Sequence, residues 1–289
     1  MSVLQVGDLS VVGLSDGVMP VHPTVVFPDT PVDYWDRYLS RFPESFIELA
    51  RDGPRQRYFN VNVGAFLIRS GRHSVMCDTG LGAGAEMLGF RGKEELLRDM
   101  ESKGVDRESV TTVFLTHLHA DHVGWNVTRR DGRAEPTFPN ARYRFGAKDW
   151  EHFTSAGMMA GDDGPTTRER VVPLMEQGLI DLLDDETNLA PGVTAIPTPG
   201  HTPGHMSLLL SSRNQRAVVL GDLVGSPMQI TDSALPYAGD TDVEMGRATR
   251  ERVLELAERE GQTVLGPHLP KPGWGTLVRF EGRRYFKPA

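Results

Sequence analysis

Four times along this 289-residue chain an apolar, strand-like run stops and a histidine or aspartate follows within a few residues. Val113-Phe114-Leu115 runs into Thr116-His117-Leu118-His119-Ala120-Asp121-His122, Val193–Pro197 leads to His201, Ala217–Leu220 to Asp222, and Thr263–Leu265 to His268. Rigid sheets present functional side chains on the loops that follow their strands. A chain laid out this way is therefore expected to bring several strand ends to one edge. The first cluster is the densest, with three of the chain's nine histidines and an aspartate inside six residues. Neutral imidazole and carboxylate are the usual ligands of borderline divalent metals such as zinc. Together the four segments offer five histidines and two aspartates, enough for two metals with an open position and too many for one.

Composition narrows the partners. A hydrophobic content of 39% with 24% charged residues fits a globular protein with a substantial core, and the formal charge is −8. Nucleic acid is not expected, because phosphate binding needs clustered Lys and Arg; Arg279, Arg283, Arg284 and Lys287 read as a solvated strand pair. Cys77 is alone, so no intrachain disulfide forms and a reducing compartment suits the chain. No apolar run reaches membrane-spanning length and no signal peptide is visible, so a cytoplasmic protein with a small-molecule substrate is expected.

The chain reads as a single domain over 1–289. Strands are expected over Val3–Val12, Val61–Arg69, Ser74–Asp78, Val110–Leu115, Ala141–Phe145, Val193–Pro197, Met206–Leu210, Ala217–Leu220 and Thr263–Leu265. Helices are expected over 93–103, 147–156, 167–177 and 242–260, the last with a stripe of Val243, Val253, Leu254, Leu256 and Ala257. Residues 22–59 are broken by five prolines and rich in aromatics, among them Trp35 and Tyr38. They read as a lid or dimerisation extension with short helices at 34–38 and 46–50, and Trp35 or Tyr38 is expected near a partner's pocket in a homodimer. Residues 157–190 read as an inserted loop and helix, with Met158-Met159 at the tip of a mobile loop.

The run HLHADH, His201 within PGHTPGH, Asp222 within LGDLV and His268, in that order, resemble the metallo-β-lactamase-fold hydrolases. The resemblance extends from about Asn60 to His268. It implies an α/β (α+β) fold, a four-layer αββα sandwich with the metals at one edge between the sheets. It further implies that His117, His119 and His201 bind one divalent ion, that Asp121, His122 and His268 bind a second, and that Asp222 bridges them. Asp78 and Thr116 match positions that brace the ligand loop, and His205 matches a structural position. Zinc is the first expectation for the metals, with manganese, iron or cobalt as alternatives. In such a site a metal-bridging hydroxide attacks the substrate, and Asp121 holds the nucleophile and relays a proton. Cys77, by contrast, reads as a packed core thiol.

Departures from family patterns select a branch. The position of Asp222 is a cysteine in the best-known zinc β-lactamases, and the 21 residues after His268 are too few for the helical domain of glyoxalase II-like thioesterases. The chain looks most like the lactonase and organophosphate-hydrolase branch, which implies opening of a small, largely apolar lactone or ester. Alternatives on the same fold are a phosphotriesterase, a β-lactamase-like or thioester hydrolase, and an iron-dependent oxidoreductase. Quorum-quenching lactonases often carry a tyrosine shortly after the bridging aspartate, where this chain reads Leu223-Val224-Gly225-Ser226. Tyr237 would take that place only if its loop folded back, and it reads as a surface residue. The pocket wall is expected from the aromatic segment, the Met158-Met159 loop and residues 223–237.

Overall fold

Neighbouring residues within the central strands are apolar on both faces, and the structure buries both. The computed structural model describes residues 3–50, 53–88, 90–93 and 95–289; positions 51 and 52 of the proline-rich extension and position 94 of the expected 93–103 helix lie outside them. One sheet is built from β1 (Val3–Val6), β2 (Leu9–Val21), β3 (Phe46–Leu49), β4 (Gln56–Ser70), β5 (His73–Cys77), β6 (Thr112–Phe114), β7 (Arg142–Gly146) and β8 (Ile180–Leu183). Its order is β1-β2-β4-β5-β6-β7-β8, with β3 on the open side of β4. The second sheet runs in sequence order through β9 (Thr187–Ala190), β10 (Val193–Pro197), β11 (Met206–Ser212), β12 (Gln215–Val219), β13 (Thr263–Leu265), β14 (Trp274–Phe280) and β15 (Arg283–Pro288).

Three apolar layers follow from this pairing. Phe66, Ile68, Val75, Cys77 and Phe114 meet Val193, Leu208, Ala217, Val219 and Leu265 between the sheets. Residues of the opposite parity, such as Leu67, Met76 and Val113, turn outward against Leu96, Met100 and Phe153 of the helices Glu95–Ser102 and Ala147–Phe153. On the other outer face Val218 and Val264 pack with Val253, Leu254 and Ala257 of the helix Val243–Arg259. The alternation of side chains across each strand thus sorts a continuous apolar run into two layers. The result is the expected αββα sandwich. No helix among the described residues is long and apolar enough to cross a membrane.

Several local expectations change. Residues 46–49 form a strand instead of a helix, because Phe46 and Leu49 register with Phe59 and Gln56 of β4. Met158 and Met159 lie in the short helix Ala156–Ala160, capped by the Ser155 hydroxyl, and not in a mobile loop. The segment 157–190 carries helices and then ends in β8 and β9, so its last third belongs to the sheets. Val243 is 38% exposed, because Asp242 caps the helix through Met245 N–H and leaves Val243 in the outer first turn. Trp35, Tyr38, Phe27 and Phe42 are each at most 2% exposed, packed within their own chain against Phe59. Trp35 and Tyr38 are therefore not offered to a partner, contrary to expectation. The Tyr34 and Tyr38 hydroxyls both donate to Asp232, which ties the aromatic extension to the 232–240 loop.

Strand direction decides where the site lies. β5, β6, β7 and β8 are mutually parallel, and in the second sheet β10, β12 and β13 share one direction. Loops after these strands leave from carboxyl ends at one edge, where ligands bind in open α/β sheets. Met206 N–H donates to Thr116 O at 2.8 Å, joining the two sheets at that edge.

Candidate metal centre

Seven side chains converge at this edge, and each arrives from the end of a strand. The loop after β6 delivers His117 and His119, and one helical turn, Ala120–Val123, delivers Asp121 and His122. The tight loop after β10 delivers His201, the turn after β12 delivers Asp222, and the turn after β13 delivers His268. All of the sequence-expected residues are brought together. His117, His119 and His201 form one group of potential ligand atoms, Asp121, His122 and His268 another, and His117, His122 and Asp222 a third, each within 4.8 Å.

The geometry within these groups fits divalent metal better than hydrogen bonding. His119 Nδ1 lies 3.0 Å from both His117 Nε2 and His201 Nε2. Each neutral imidazole has one proton to give. The far nitrogens are already engaged: His117 Nδ1 lies 3.0 Å from Thr116 Oγ1 and His201 Nδ1 lies 3.2 Å from Asp240 Oδ1. Three nitrogen lone pairs are thus left converging on one point. Asp222 straddles the groups, with Oδ2 3.4 Å from His201 Nε2 and Oδ1 3.3 and 3.1 Å from the Nε2 atoms of His122 and His268. His122 Nε2 and Asp222 Oδ1 are buried without a hydrogen-bond partner, an arrangement that costs free energy unless a cation satisfies it.

Partners behind the ligands fix their orientation, as second-shell groups do at metal sites. Asp78 accepts from Thr116 N–H at 2.8 Å and faces His122 Nδ1 at 3.0 Å. His268 Nδ1 donates to Asn62 O at 2.9 Å. His205 Nε2 accepts from Asp222 N–H at 3.0 Å, so this residue orients the turn that carries Asp222. Gly221 makes the turn feasible: its φ is +58°, and a Cβ there would sit 2.5 Å from His205 Nε2. Burial drives His201 and His205 down to about 3, which keeps both neutral. Burial also works against protonated His268, but Asp222 and Asp121 outweigh it and hold its pKa at about 9. A metal entering the second group therefore displaces a proton.

Two supporting carboxylates were not anticipated from the sequence. Asp240, beside His201, is paired with Arg250 at 2.8 Å, and both side chains are about 1% exposed. Asp149, on the helix Ala147–Phe153, accepts from Thr202 Oγ1 at 2.9 Å and Gly204 N–H at 2.6 Å in the His201 loop. A further bond from Leu118 N–H links it to the first histidine loop. Burial raises its pKa from 3.8 to about 7, against those three donors. Folding thus retains the Asp149 proton, and the associated stability is complete below about pH 4 and lost as pH rises through about 7. The melting temperature of Asp149→Asn relative to the parent should rise between about pH 5 and about pH 8. A pH-independent difference in thermal melts would contradict this role.

A cavity of about 290 Å³ opens onto His119, Asp121, His201, Asp222 and His268. Its walls are Met19, Val21, Val25, Val26, Val61 and Met87, with Tyr237 and Gly225 opposite. The expected aromatic wall is thus a buried support behind aliphatic lining residues, and Met158-Met159 does not line the cavity. The loop bearing Tyr237 folds back, held by Ala238 N–H on Val26 O and Thr241 N–H on His201 O. The Tyr237 ring stacks on His201 with centroids 5.3 Å apart, and its hydroxyl lies 3.4 Å from Asp222 Oδ2. It is a wall of the site and not a surface residue.

The fold and the converging donors define a metal-dependent hydrolase. Residues 60–281 match the family model of the metallo-beta-lactamase superfamily, and the chain belongs to that superfamily. An N-acyl homoserine lactonase, AttM, from Azorhizobium caulinodans is 27% identical over 201 residues, covering 67% of this chain and 70% of that protein. A Bacillus N-acyl homoserine lactonase is 24% identical over 61% of this chain, and the match spans 62% of the relative's length. Among solved structures, the hydrolase AbOPH of the beta-lactamase superfamily aligns with a TM-score of 0.82 at 26% identity, covering 99% of this chain and 96% of that one. AidC, described as a dizinc quorum-quenching lactonase, shares the fold with a TM-score of 0.79 at 21% identity, over 100% of this chain and 97% of its own.

Proposed function

We propose that the protein opens a small, largely apolar lactone or ester at a two-metal centre. The observation that carries this reading is the Asp222 carboxylate, whose two oxygens face two separate groups of histidines on the floor of an aliphatic cavity. His117, His119 and His201 would hold one ion, Asp121, His122 and His268 the other, and Asp222 would lie between them. Two divalent ions, zinc first and manganese, iron or cobalt as substitutes, would supply an acidified water and a charge that polarises the substrate carbonyl.

The chain's own groups do the rest. Asp121 lies 3.5 Å from His268 Nε2 and 3.6 Å from His122 Nε2 and borders the cavity. It is positioned to take the proton from the attacking water and pass it to the leaving alkoxide. The Tyr237 hydroxyl offers a donor to the oxygen that gains charge, as an oxyanion-hole group does. Met19, Val21 and Val61 exclude bulk water and orient the acyl part. N-acyl homoserine lactones, the substrates named for the relatives above, belong to the class that fits. A homodimer remains part of the reading and is checked by sedimentation.

Purified protein should contain about two equivalents of transition metal, and chelation should abolish turnover until zinc, manganese or cobalt is restored. Asp121→Ala should lower kcat by roughly 10²–10⁴-fold with a far smaller loss of stability. A screen over N-acyl homoserine and other lactones, aryl esters, phosphotriesters and β-lactams decides the substrate class. Metal-free active protein, or intrinsic iron with oxygen consumption, would overturn this reading.

A further inference from the structure

One carboxylate in the cavity has no task in the hydrolysis described above. Apart from the candidate ligands, Asp163 is the only charged side chain among the described residues that line the cavity, and no lysine or arginine lines it. Asp163 begins the helix Gly164–Arg170 without capping it, and among the described residues its side chain has no hydrogen bond or ion pair. The segment is held firmly beside the site. Arg168 Nη1 donates to Met159 O at 2.5 Å, and a Cβ on Gly164 would sit 2.2 Å from that same carbonyl.

The reaction class gives this charge a consequence. Hydrolysis breaks the acyl C–O bond and adds water, so each turnover converts a neutral ester or lactone into an alcohol and a carboxylate, with one proton released. An unpaired negative charge in a cleft with low-dielectric walls acts on charged ligands over about a Debye length. We propose that Asp163 is a charge filter, favouring neutral or cationic substrates over carboxylate-bearing ones and hastening departure of the carboxylate product. The inference rests on the hydrolase reading and adds the charge class of substrate.

The test uses metal-loaded protein and three size-matched aryl esters bearing a neutral, a carboxylate or a quaternary ammonium tail. In the parent, kcat/KM for the anionic ester should be at least about tenfold below that for the neutral one, and the gap should narrow as salt rises from about 0.02 to about 0.5 M. In Asp163→Asn the anionic-to-neutral ratio should rise by roughly 5–20-fold and the cationic-to-neutral ratio should fall. Calorimetry should show hexanoate binding several-fold more tightly to the variant. Ratios within about twofold of the parent's and an unchanged hexanoate Kd would overturn the filter. If no ester or lactone is turned over, the hydrolase reading fails, and the hexanoate titration still decides the filter. The salt dependence of the parent needs no variant, so misfolding of Asp163→Asn does not protect the idea.

Discussion

Asp222→Ala is expected to lower the metal content from two equivalents to one or fewer and to reduce kcat/KM by about 10³-fold or more. The reason is geometric. Among the described residues Asp222 is the only side chain with oxygens facing both histidine groups, Oδ2 toward His201 and Oδ1 toward His122 and His268. Without it, His122 and His268 lose the carboxylate that most favours their protonated form, and the remaining candidate ligands carry less negative charge for two cations. Asp222→Asn keeps the shape but not the charge, and should retain more metal than the alanine variant while still losing most turnover. Metal stoichiometry by mass spectrometry, alongside kinetics, separates these outcomes. Two tightly bound ions in Asp222→Ala would mean that the bridging assignment is wrong.

Arg250→Met should destabilise the protein by about 3–5 kcal/mol, because it leaves the Asp240 carboxylate buried without its cation. For a domain of this size that corresponds to a fall of roughly 6–15 °C in melting temperature. Arg250 also donates to Leu223 O and, at 3.0 Å, to Ser233 O, so part of the loss comes from the segment that leads up to Tyr237. The double variant Arg250→Met/Asp240→Asn removes the lone charge and should recover part of the stability. Recovery identifies the unpaired carboxylate as the main cost, whereas equal melting points for the single and double variants would point to the lost carbonyl contacts. Even beside Arg250, burial holds the Asp240 pKa at about 6, so the pair is costly to desolvate and sensitive to losing either member.

The candidate ligand set was legible because each member closely follows the end of a strand, four after β6 and one each after β10, β12 and β13, and the local pattern holds whatever the rest of the chain does. The sandwich was legible for a related reason: runs such as Val113-Phe114 or Val218-Val219 are apolar on both faces and need a cover on each side. The supporting residues were not, because their partners are distant in the chain. Asn62 meets His268 across 206 positions and Asp149 meets Gly204 across 55, and no local spacing encodes such contacts. Arg250 did leave a trace, since it falls between Gly246, Val253 and Ala257 on the buried stripe of its helix. An arginine on an apolar face calls for a buried acid, which is Asp240. Phe46–Leu49 was misread because four residues cannot show a period, and pairing with β4 decided their state. Tyr237 was misread because only the return of its loop to Val26 O and His201 O brings it to the site.

Each three-residue ligand group takes two members from the first sheet's loops and one from the second's: His117 and His119 with His201, and Asp121 and His122 with His268. The chain crosses from one sheet to the other through residues 184–186, between β8 and β9. The two halves are consequently joined by peptide at one crossing, by the apolar layer and the hydrogen bond from Met206 N–H to Thr116 O between the sheets, and, in the proposed reading, by the cations the ligands would hold. A nick at that crossing would leave two fragments held by the apolar layer between the sheets and, in the proposed reading, by those cations, and a chelator would remove the second hold. In the proposed reading, ions that would activate water would also act as fasteners, and the lifetime of the intact sandwich would depend in part on metal supply.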